Sequence, residues 1–139
     1  MPNIKPISEG TPSIAVSALR AQQARMRIIA ENMANANSVS SQAGGDPYRR
    51  QVPVFEPMKM DAGQGVRMSR VAPDPKAFRN VYDPSHPSAD TKGYVKLPNV
   101  DTLVEALDMK EAQRAYEANL NMIETAHAME TRTLDLLKK

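Results

Sequence analysis

The chain has 139 residues and 41% of them are hydrophobic, but 18 of the hydrophobic residues are Ala and 9 are Met. Leu, Ile, Val and Phe together number 26, about 19% of the chain, a level at which packed interiors become uncommon. Burying one such side chain is worth about 1.5–3 kcal/mol, whereas ordering each residue of backbone costs about 1–2 kcal/mol. We therefore expect a chain that completes its core with copies of itself or with partners.

The net charge of +2 is distributed unevenly, with +2 in residues 1–40, +3 in residues 41–100 and −3 in residues 101–139. The cations of the middle segment are dispersed through a Pro-rich stretch, a pattern that argues against nucleic-acid binding. No apolar run approaches the ~20 residues of a membrane-spanning helix, and we expect no cleavable secretory signal at the N-terminus. The absence of cysteine excludes disulfides and thiolate metal sites.

The first predicted element is an N-terminal core helix over residues 13–38, preceded by a flexible segment over residues 1–12. Residues 13–38 contain neither Gly nor Pro and are rich in Ala, Gln, Arg and Met, which favour helices. Asn35 and Asn37 mark a polar end, because Asn favours caps and turns. Apolar and small residues recur at alternating spacings of four and three, the pattern of a heptad seam. The seam consists of Ala15, Leu19, Gln22, Met26, Ile29, Met33 and Ala36.

A second helix is predicted over residues 101–139, with Asp101 or Thr102 as its N-cap. This stretch also lacks Gly and Pro, and at 1.5 Å per residue it would run roughly 55 Å, too long for a small globule. It has few stabilising ion pairs of its own, so the isolated helix should be marginal in water. Its predicted seam consists of Ala106, Met109, Gln113, Tyr116, Leu120, Ile123, His127, Glu130, Leu134 and Leu137, and it is widened by Ala112, Ala115, Met122, Ala126 and Met129.

The segment between the helices, residues 39–100, holds eight of the eleven prolines and five of the six glycines. Short β-like runs at residues 52–55, 65–71 and 78–82 are separated by turn signals. We interpret this segment, called the arm below, as an extended Pro-rich arm with short β-strands and no separate stable domain. The two terminal helices can pair only if the arm folds back.

One cluster of residues invites a catalytic interpretation, because Ser, His and Asp can supply a nucleophile, a base and an orienting group. The cluster is Asp83, Ser85, His86 and Asp90. Neighbours in a Pro-flanked turn seldom reach triad geometry, and these carboxylates and the imidazole lack a fourth metal ligand. An ordered turn is the favoured interpretation, and we predict no enzyme, no catalytic, cofactor or metal site and no small-molecule substrate.

Longer motifs indicate a family. Residues 17–23 and 29–38 resemble the N-terminal signature of the bacterial flagellar rod and hook axial proteins, in which a helix ends in an Asn/Ala-rich box. Residues 93–101 and 114–120 resemble the C-terminal signature, and residues 46–50 and 81–90 narrow the resemblance to the proximal rod. The similarity covers roughly residues 13–137.

The resemblance implies a mainly α fold, in which the long terminal helices pair as an antiparallel coiled coil. It implies a structural subunit of the basal-body proximal rod that assembles helically with itself and other rod proteins to transmit motor torque. It further implies passage through the flagellar type III export apparatus, a periplasmic location in the basal body, and contact with surrounding ring proteins. The alternative is a soluble coiled-coil adaptor or export chaperone of a secretion system, and a more distant one is a small hydrolase using Ser85 and His86.

Two groups of residues are expected to make the contacts of assembly. Helix residues form the first group: Leu19, Met26, Ile29, Met33, Asn35, Asn37, Met109, Tyr116, Leu120, Ile123, Leu134 and Leu137. Arm residues form the second: Tyr48, Arg49, Arg50, Tyr82, His86 and Tyr94.

Overall fold

A computed structural model describes residues 10–61 and 63–139. Along the chain these residues form helix α1 (Gly10–Ala34), strands β1 (Gln51–Met60), β2 (Gly63–Pro73), β3 (Arg79–Tyr82) and β4 (Tyr94–Leu97), and helix α2 (Thr102–Leu137). The fold is mainly α, with short antiparallel strands between an N-terminal and a C-terminal helix. This architecture agrees with the mainly α part of the predicted fold class, with its N-terminal and C-terminal helices.

Helix α1 begins at Gly10, three residues earlier than predicted. Pro12 is accommodated in its first turn, where a backbone N–H would have no intrahelical acceptor. Residues 10–12, which the prediction assigned to the N-terminal segment, are therefore helical, and residues 1–9 of that segment lie outside the described residues. The helix ends at Ala34, where the side-chain Nδ2 of Asn35 turns back and donates to the carbonyl oxygen of Glu31 at 2.9 Å.

Helix α2 is capped by Asp101, one of the two predicted N-caps. Its Oδ1 accepts from the backbone N–H of Leu103 at 3.0 Å and of Val104 at 3.4 Å, which satisfies two donors that lack an intrahelical partner. At 1.5 Å per residue, the 36 residues of α2 span about 54 Å and the 25 residues of α1 about 38 Å. The two helices therefore differ in length by about three turns.

The helices pack side by side and run antiparallel. Asn32, near the end of α1, meets Glu105 at the start of α2, while Arg25, two turns earlier in α1, reaches Glu111 at 3.3 Å. Residue numbers thus rise along one helix as they fall along the other. The arm, which connects α1 to α2 along the chain, therefore folds back and allows the two helices to pair.

The inner face of α2 differs from its predicted seam at the start of the helix. Glu105 is buried although the seam was predicted to pass through Ala106, and Gln113 is exposed. Ala112, which belongs to the predicted widening of the seam, is buried and is small enough for the helices to approach closely. Met109, Tyr116 and Ile123 are half-buried and belong to both sets, whereas the rest of the predicted seam from Gln113 onward is exposed: Gln113, Leu120, His127, Glu130, Leu134 and Leu137.

Strands β1 and β2 form an antiparallel hairpin with an irregularity between Val54 and Phe55. Strand β1 is longer than the predicted run at residues 52–55 and contains two prolines, which a two-stranded sheet tolerates because each strand has an open edge. The hairpin lies against α1, where the N–H of Val66 donates to Ser17 Oγ at 3.2 Å. A Cβ at Gly65 would lie 2.7 Å from that oxygen, so the close approach requires glycine.

Strands β3 and β4 form a second antiparallel pair, with Arg79 opposite Leu97 and Tyr82 opposite Tyr94. Strand β4 was not among the predicted β-like runs. Its pairing with β3 returns the chain to the start of α2, because only four residues separate Leu97 from Thr102. The two sheets are separate in hydrogen bonding.

Candidate assembly interface

The helix pair and the arm are joined by a group of hydrogen-bonded side chains that we call the polar junction: Asn32, Arg50, Asp74, Asn99 and Glu105. They come from α1, the residue before β1, the β2–β3 connection, the β4–α2 connection and the first turn of α2. Residues from all parts of the described fold therefore meet at one place, near the end of α1 and the beginning of α2.

Asn32 fixes the arm to α1. Its side chain is 1% exposed, and its Oδ1 accepts from the backbone N–H of Gln51 and from the hydroxyl of Tyr48, both at 2.9 Å. Its Nδ2 donates to the carbonyl oxygen of Gln51 at 2.8 Å. One side chain thus satisfies both backbone groups of Gln51, as a neighbouring strand would. Burial and the negative charges of Glu31 and Glu105 raise the pKa of Tyr48, which keeps its hydroxyl a donor.

Glu105 carries a carboxylate in a fully buried position, at 0% exposure. Arg50 Nε donates to its Oε1, and the same guanidinium contacts Asp74 at 3.1 Å and Asp108 at 3.6 Å. Burial opposes the charge of Arg50, but the hydrogen bond and charge of Glu105, aided by Asp74, raise the pKa of Arg50. Buried charges persist when they are paired in this way, so Arg50 and Glu105 each require the other.

Asp74 completes the ionic part of the junction. Its Oδ1 accepts from the backbone N–H of Lys76 at 2.9 Å, and its Oδ2 accepts from Arg50. The backbone N–H of Lys76, opposed by burial and supported by the charge of Arg50, lowers the pKa of Asp74. The carboxylate form therefore holds the β2–β3 connection against the start of β1.

Asn99 and Arg49 bind the same connection from two other directions. Asn99 Oδ1 accepts from the backbone N–H of Arg50 at 2.8 Å, and its Nδ2 donates to the carbonyl oxygen of Lys76 at 3.0 Å. Arg49 Nη1 donates to the carbonyl oxygens of Asp74 and Lys76 at 2.8 and 3.0 Å, and its guanidinium lies 4.1 Å from the centre of the Phe78 ring. These bonds position the arm without any ladder between the two sheets.

The predicted turn cluster is an ordered turn. Ser85 Oγ donates to Asp83 Oδ1 at 2.7 Å, and His86 Nδ1 is placed to accept from the backbone N–H of Ser88 at 3.0 Å. Asp90 Oδ1 accepts from the N–H groups of Lys92 and Tyr94, both at 2.9 Å, and the backbone donation from Tyr94 is the main cause of the lowered pKa of Asp90. Asp90 and His86 thus hold backbone, while the Ser85 hydroxyl is bonded to Asp83 and not to His86.

Metal-binding and membrane-spanning patterns are both missing from the part of the chain that the structure describes. No three His, Cys, Asp or Glu residues among residues 10–61 and 63–139 are grouped so as to hold a metal ion. Within the same residues, neither helix has a stretch long and apolar enough to cross a membrane.

The predicted helix contacts fall into two sets. Leu19, Met26, Ile29, Met109, Tyr116 and Ile123 are buried or half-buried within the chain, as is Asn35 at the end of α1. Leu120, Leu134 and Leu137 are 38, 54 and 78% exposed, and Met33 and Asn37 are also exposed. The first set serves the folding of one chain, and the second is available to a partner.

Of the predicted arm contacts, Arg49, Arg50 and Tyr48 lie in or beside the polar junction, where they bond to this chain. Tyr82 and Tyr94 stack edge to face with ring centres 5.3 Å apart and remain 65 and 44% exposed. His86 is half-buried in the turn. Among the predicted arm contacts, the tyrosine pair therefore presents the largest aromatic surface to solvent.

Four residues of the polar junction were not among the predicted site residues: Asn32, Asp74, Asn99 and Glu105. Asn32 and Asn99 stand inside the quoted signatures, and Glu105 has capping-box spacing from Thr102, a pattern that predicts an exposed residue at the helix start. A carboxylate in the first turn of a helix gives no local sign of burial, because that position suits a solvent-exposed acid. Its partner Arg50 lies 55 residues away, beyond any local pattern.

Comparison with known proteins places these features in one family. Residues 13–40 match the family described as flagella basal body rod protein, and residues 91–136 match the family described as flagellar basal body rod FlgEFG protein C-terminal. The two matches cover the Asn-rich end of α1 and nearly all of α2. The first match contains one residue of the polar junction, Asn32, and the second contains two, Asn99 and Glu105.

Whole-chain relatives agree. The flagellar basal-body rod protein FlgC of Agrobacterium fabrum is 43% identical over 127 residues, covering 90% of this chain and 91% of the relative. The FlgC proteins of Yersinia enterocolitica and Borreliella burgdorferi are 42 and 37% identical, over 88 and 91% of this chain and 92 and 95% of the relatives. Because these relatives are matched over about nine-tenths of this chain and of their own length, the chain belongs to the FlgC family of flagellar basal-body rod proteins.

Proposed function

We propose that the chain is a structural subunit of the proximal rod, which assembles helically with itself and other rod proteins into the shaft that transmits motor torque. Membership of the FlgC family supports the rod location. The observation that carries the assembly mechanism is the exposure of large apolar side chains on α2, including Leu134, Leu136 and Leu137 at 54, 73 and 78%. Apolar side chains grouped on one element favour contact with a partner.

Pairing of α1 and α2 as an antiparallel coiled coil is the finer part of this proposal. The less exposed residues of α2, Glu105, Met109, Ala112, Tyr116, Asn119, Ile123 and Ala126, recur at spacings of four and three, the repeat that keeps one face against a partner helix. The small residues on this face permit close approach of the two backbones. Such a pair is a stiff element suited to carrying load.

The polar junction supports a second part of the mechanism. Because it ties both helices to the arm through charged and amide side chains, movement of the helix pair would carry the arm with it. We propose that the arm, with the exposed Tyr82 and Tyr94, contacts neighbouring subunits or the surrounding ring proteins. The absence of cysteine is consistent with passage of an unfolded chain through the type III export apparatus into the periplasm.

The proposal is tested by placing a carboxylate on either face of α2. Leu120→Asp changes the exposed set and should block incorporation into basal bodies while export continues. Ala118→Asp is the matched control, since Ala118 is also exposed and lies about 160° around the helix from Leu120. Normal rods containing Leu120→Asp at the wild-type level would contradict the role of this face.

A further inference from the structure

The side of α2 turned away from α1 carries a stripe of residues at alternating spacings of four and three, which we call the outer stripe. Its first half is Leu103, Leu107, Lys110 and Arg114, and its second half contains the acidic residues Glu117, Glu124 and Asp135. Every one of these residues is exposed. Glu117 lies about 160° around the helix from Asn119, which is on the inner face, so the stripe is opposite α1.

Charge is segregated along the outer stripe. Lys110 and Arg114 precede all of its acids, and the positions between the acids are the uncharged Asn121, Ala128 and Thr131. Within the described residues none of these charged side chains forms an ion pair, whereas the cation of the neighbouring helix face, Arg25, is paired with Glu111 and Asp108. The stripe therefore has a positive half and a negative half, both without partners in the folded chain.

This charge pattern restricts the registers in which the outer stripe of a second copy can lie parallel to that of the first. In-register parallel pairing would set Lys110 against Lys110 and Glu117 against Glu117, and like charges directly opposed are destabilising. An offset of one heptad would set Glu117 against Glu124. Offsets of two and three heptads oppose no like charges. The two-heptad offset, about 21 Å along the helix, sets Lys110 against Glu124 and leaves the longer overlap between the two stripes.

We propose that the outer stripe is a contact between two copies of this chain, parallel and offset by two heptads. A second copy is the occupant because the positive half of the stripe on one copy is complementary in charge to the negative half of the stripe on another. The offset contact is head-to-tail and does not close, which a helical assembly requires, whereas an antiparallel contact would close into a dimer. This inference rests on the proposed rod function and specifies the neighbour and register of one contact.

The chain contains no cysteine, so single cysteines report neighbouring positions cleanly. Lys110→Cys and Glu124→Cys are placed in two separately tagged full-length chains, produced together in cells that lack the wild-type gene, and isolated basal bodies are treated with a short thiol-specific crosslinker. The expected product is the mixed 110–124 dimer, with loss of the product when both chains carry Lys110→Cys. Crosslinking at 110–110, an equally strong 114–135 product, or no mixed dimer would overturn the proposed register.

Charge exchange provides an independent measurement. Lys110→Glu and Glu124→Lys should each lower incorporation into basal bodies by about two- to five-fold, the range for an exposed ion pair, and the double exchange should restore it. Arg27→Glu, an equal charge change on an exposed residue of α1, is the control and should leave incorporation unchanged. Additive losses in the double exchange would overturn the contact.

Different results would contradict the outer-stripe contact and the proposed rod function. If wild-type chain is present in basal bodies and the 110–124 product is absent, only the outer-stripe contact is wrong. If wild-type chain is itself absent from basal bodies, the proposed rod function is wrong.

Discussion

Arg50, the residue before β1, donates from Nε to Oε1 of Glu105, whose side chain is fully buried in the first turn of α2. The two residues are 55 positions apart, so the bond closes a loop that contains both sheets. Neither charge is well placed without the other, because a buried carboxylate needs a partner and the guanidinium is itself largely covered. Docking of the arm and burial of the start of α2 are therefore coupled.

Glu105→Ala should destabilise the folded chain by about 2–3 kcal/mol, the range for loss of a hydrogen bond between charged groups. Arg50 would keep Asp74 and Asp108, which limits the loss. Because the hydrophobic core is small, the helical signal of the purified chain in circular dichroism should fall markedly. Glu111→Ala removes a carboxylate that is 71% exposed and should cost less than about 1 kcal/mol; equal effects of the two substitutions would contradict the coupling.

Asn32→Ala should release the start of β1 from α1. Hydrogen exchange of the Gln51 amide reports this directly, since that N–H donates to Asn32 Oδ1, and the amide should exchange faster in the variant. Asn37→Ala changes an exposed amide in the same Asn-rich segment and should leave Gln51 protected. An unchanged Gln51 exchange rate in Asn32→Ala would show that the ladder of the β1–β2 hairpin alone holds the strand.

The lowered pKa of Asp74 predicts sensitivity to acid. A carboxyl group whose pKa is lower in the folded than in the unfolded chain stabilises the fold at pH values above its unfolded pKa, about 3.9, and that contribution is lost as the pH falls through the folded pKa. Asp74→Asn should therefore be less stable at neutral pH and flatten the loss of stability below about pH 4. Asp46→Asn, at a side chain 70% exposed and paired with Lys96, is the control and should keep the wild-type acid profile.

The C-terminal end of α2 should gain protection on assembly. Every residue from His127 onward is exposed in the single chain, and few ion pairs support this stretch. Its amides should exchange rapidly in purified monomer and slowly in isolated rods, with a matching rise in helicity. A thermostable monomer in which residues 127–137 are already protected would contradict a core completed by partners.

The two helices could be predicted from sequence because uninterrupted runs of helix formers bounded by Pro and Asn are local signals. The face of α2 could not, because Leu120, Leu134 and Leu137 create an apolar periodicity on a side that the single chain leaves exposed. Heptad spacing identifies apolar faces and does not distinguish the chain's own partner from a neighbouring subunit. Ala112 of the inner face lies within the predicted widening of the seam, but the face also contains a buried carboxylate, Glu105, that pattern rules assign to the surface.

The polar junction was harder to foresee for a related reason. Asn32, Asn99 and Glu105 act through bonds to residues distant in sequence, and each has an ordinary local interpretation as a cap or turn residue. Strand β4 was missed because it has only four residues, one of them Lys, and follows a Gly. So short a run cannot establish the alternation of apolar and polar residues that indicates a strand. The turn at residues 83–90, by contrast, is held locally: Asp90 and His86 accept from nearby backbone N–H groups, and Ser85 bonds to Asp83. Asp and Ser are residues that turn signals contain.

The central claim is tested most directly by isolating intact basal bodies from the bacterium that encodes this chain and measuring the chain in the rod fraction by quantitative mass spectrometry. The account predicts that the chain copurifies with the other rod proteins at a fixed ratio and is lost, together with the rod, when its gene is deleted. Recovery of the chain in cytosolic complexes alone, with rods assembled normally in the deletion strain, would contradict it.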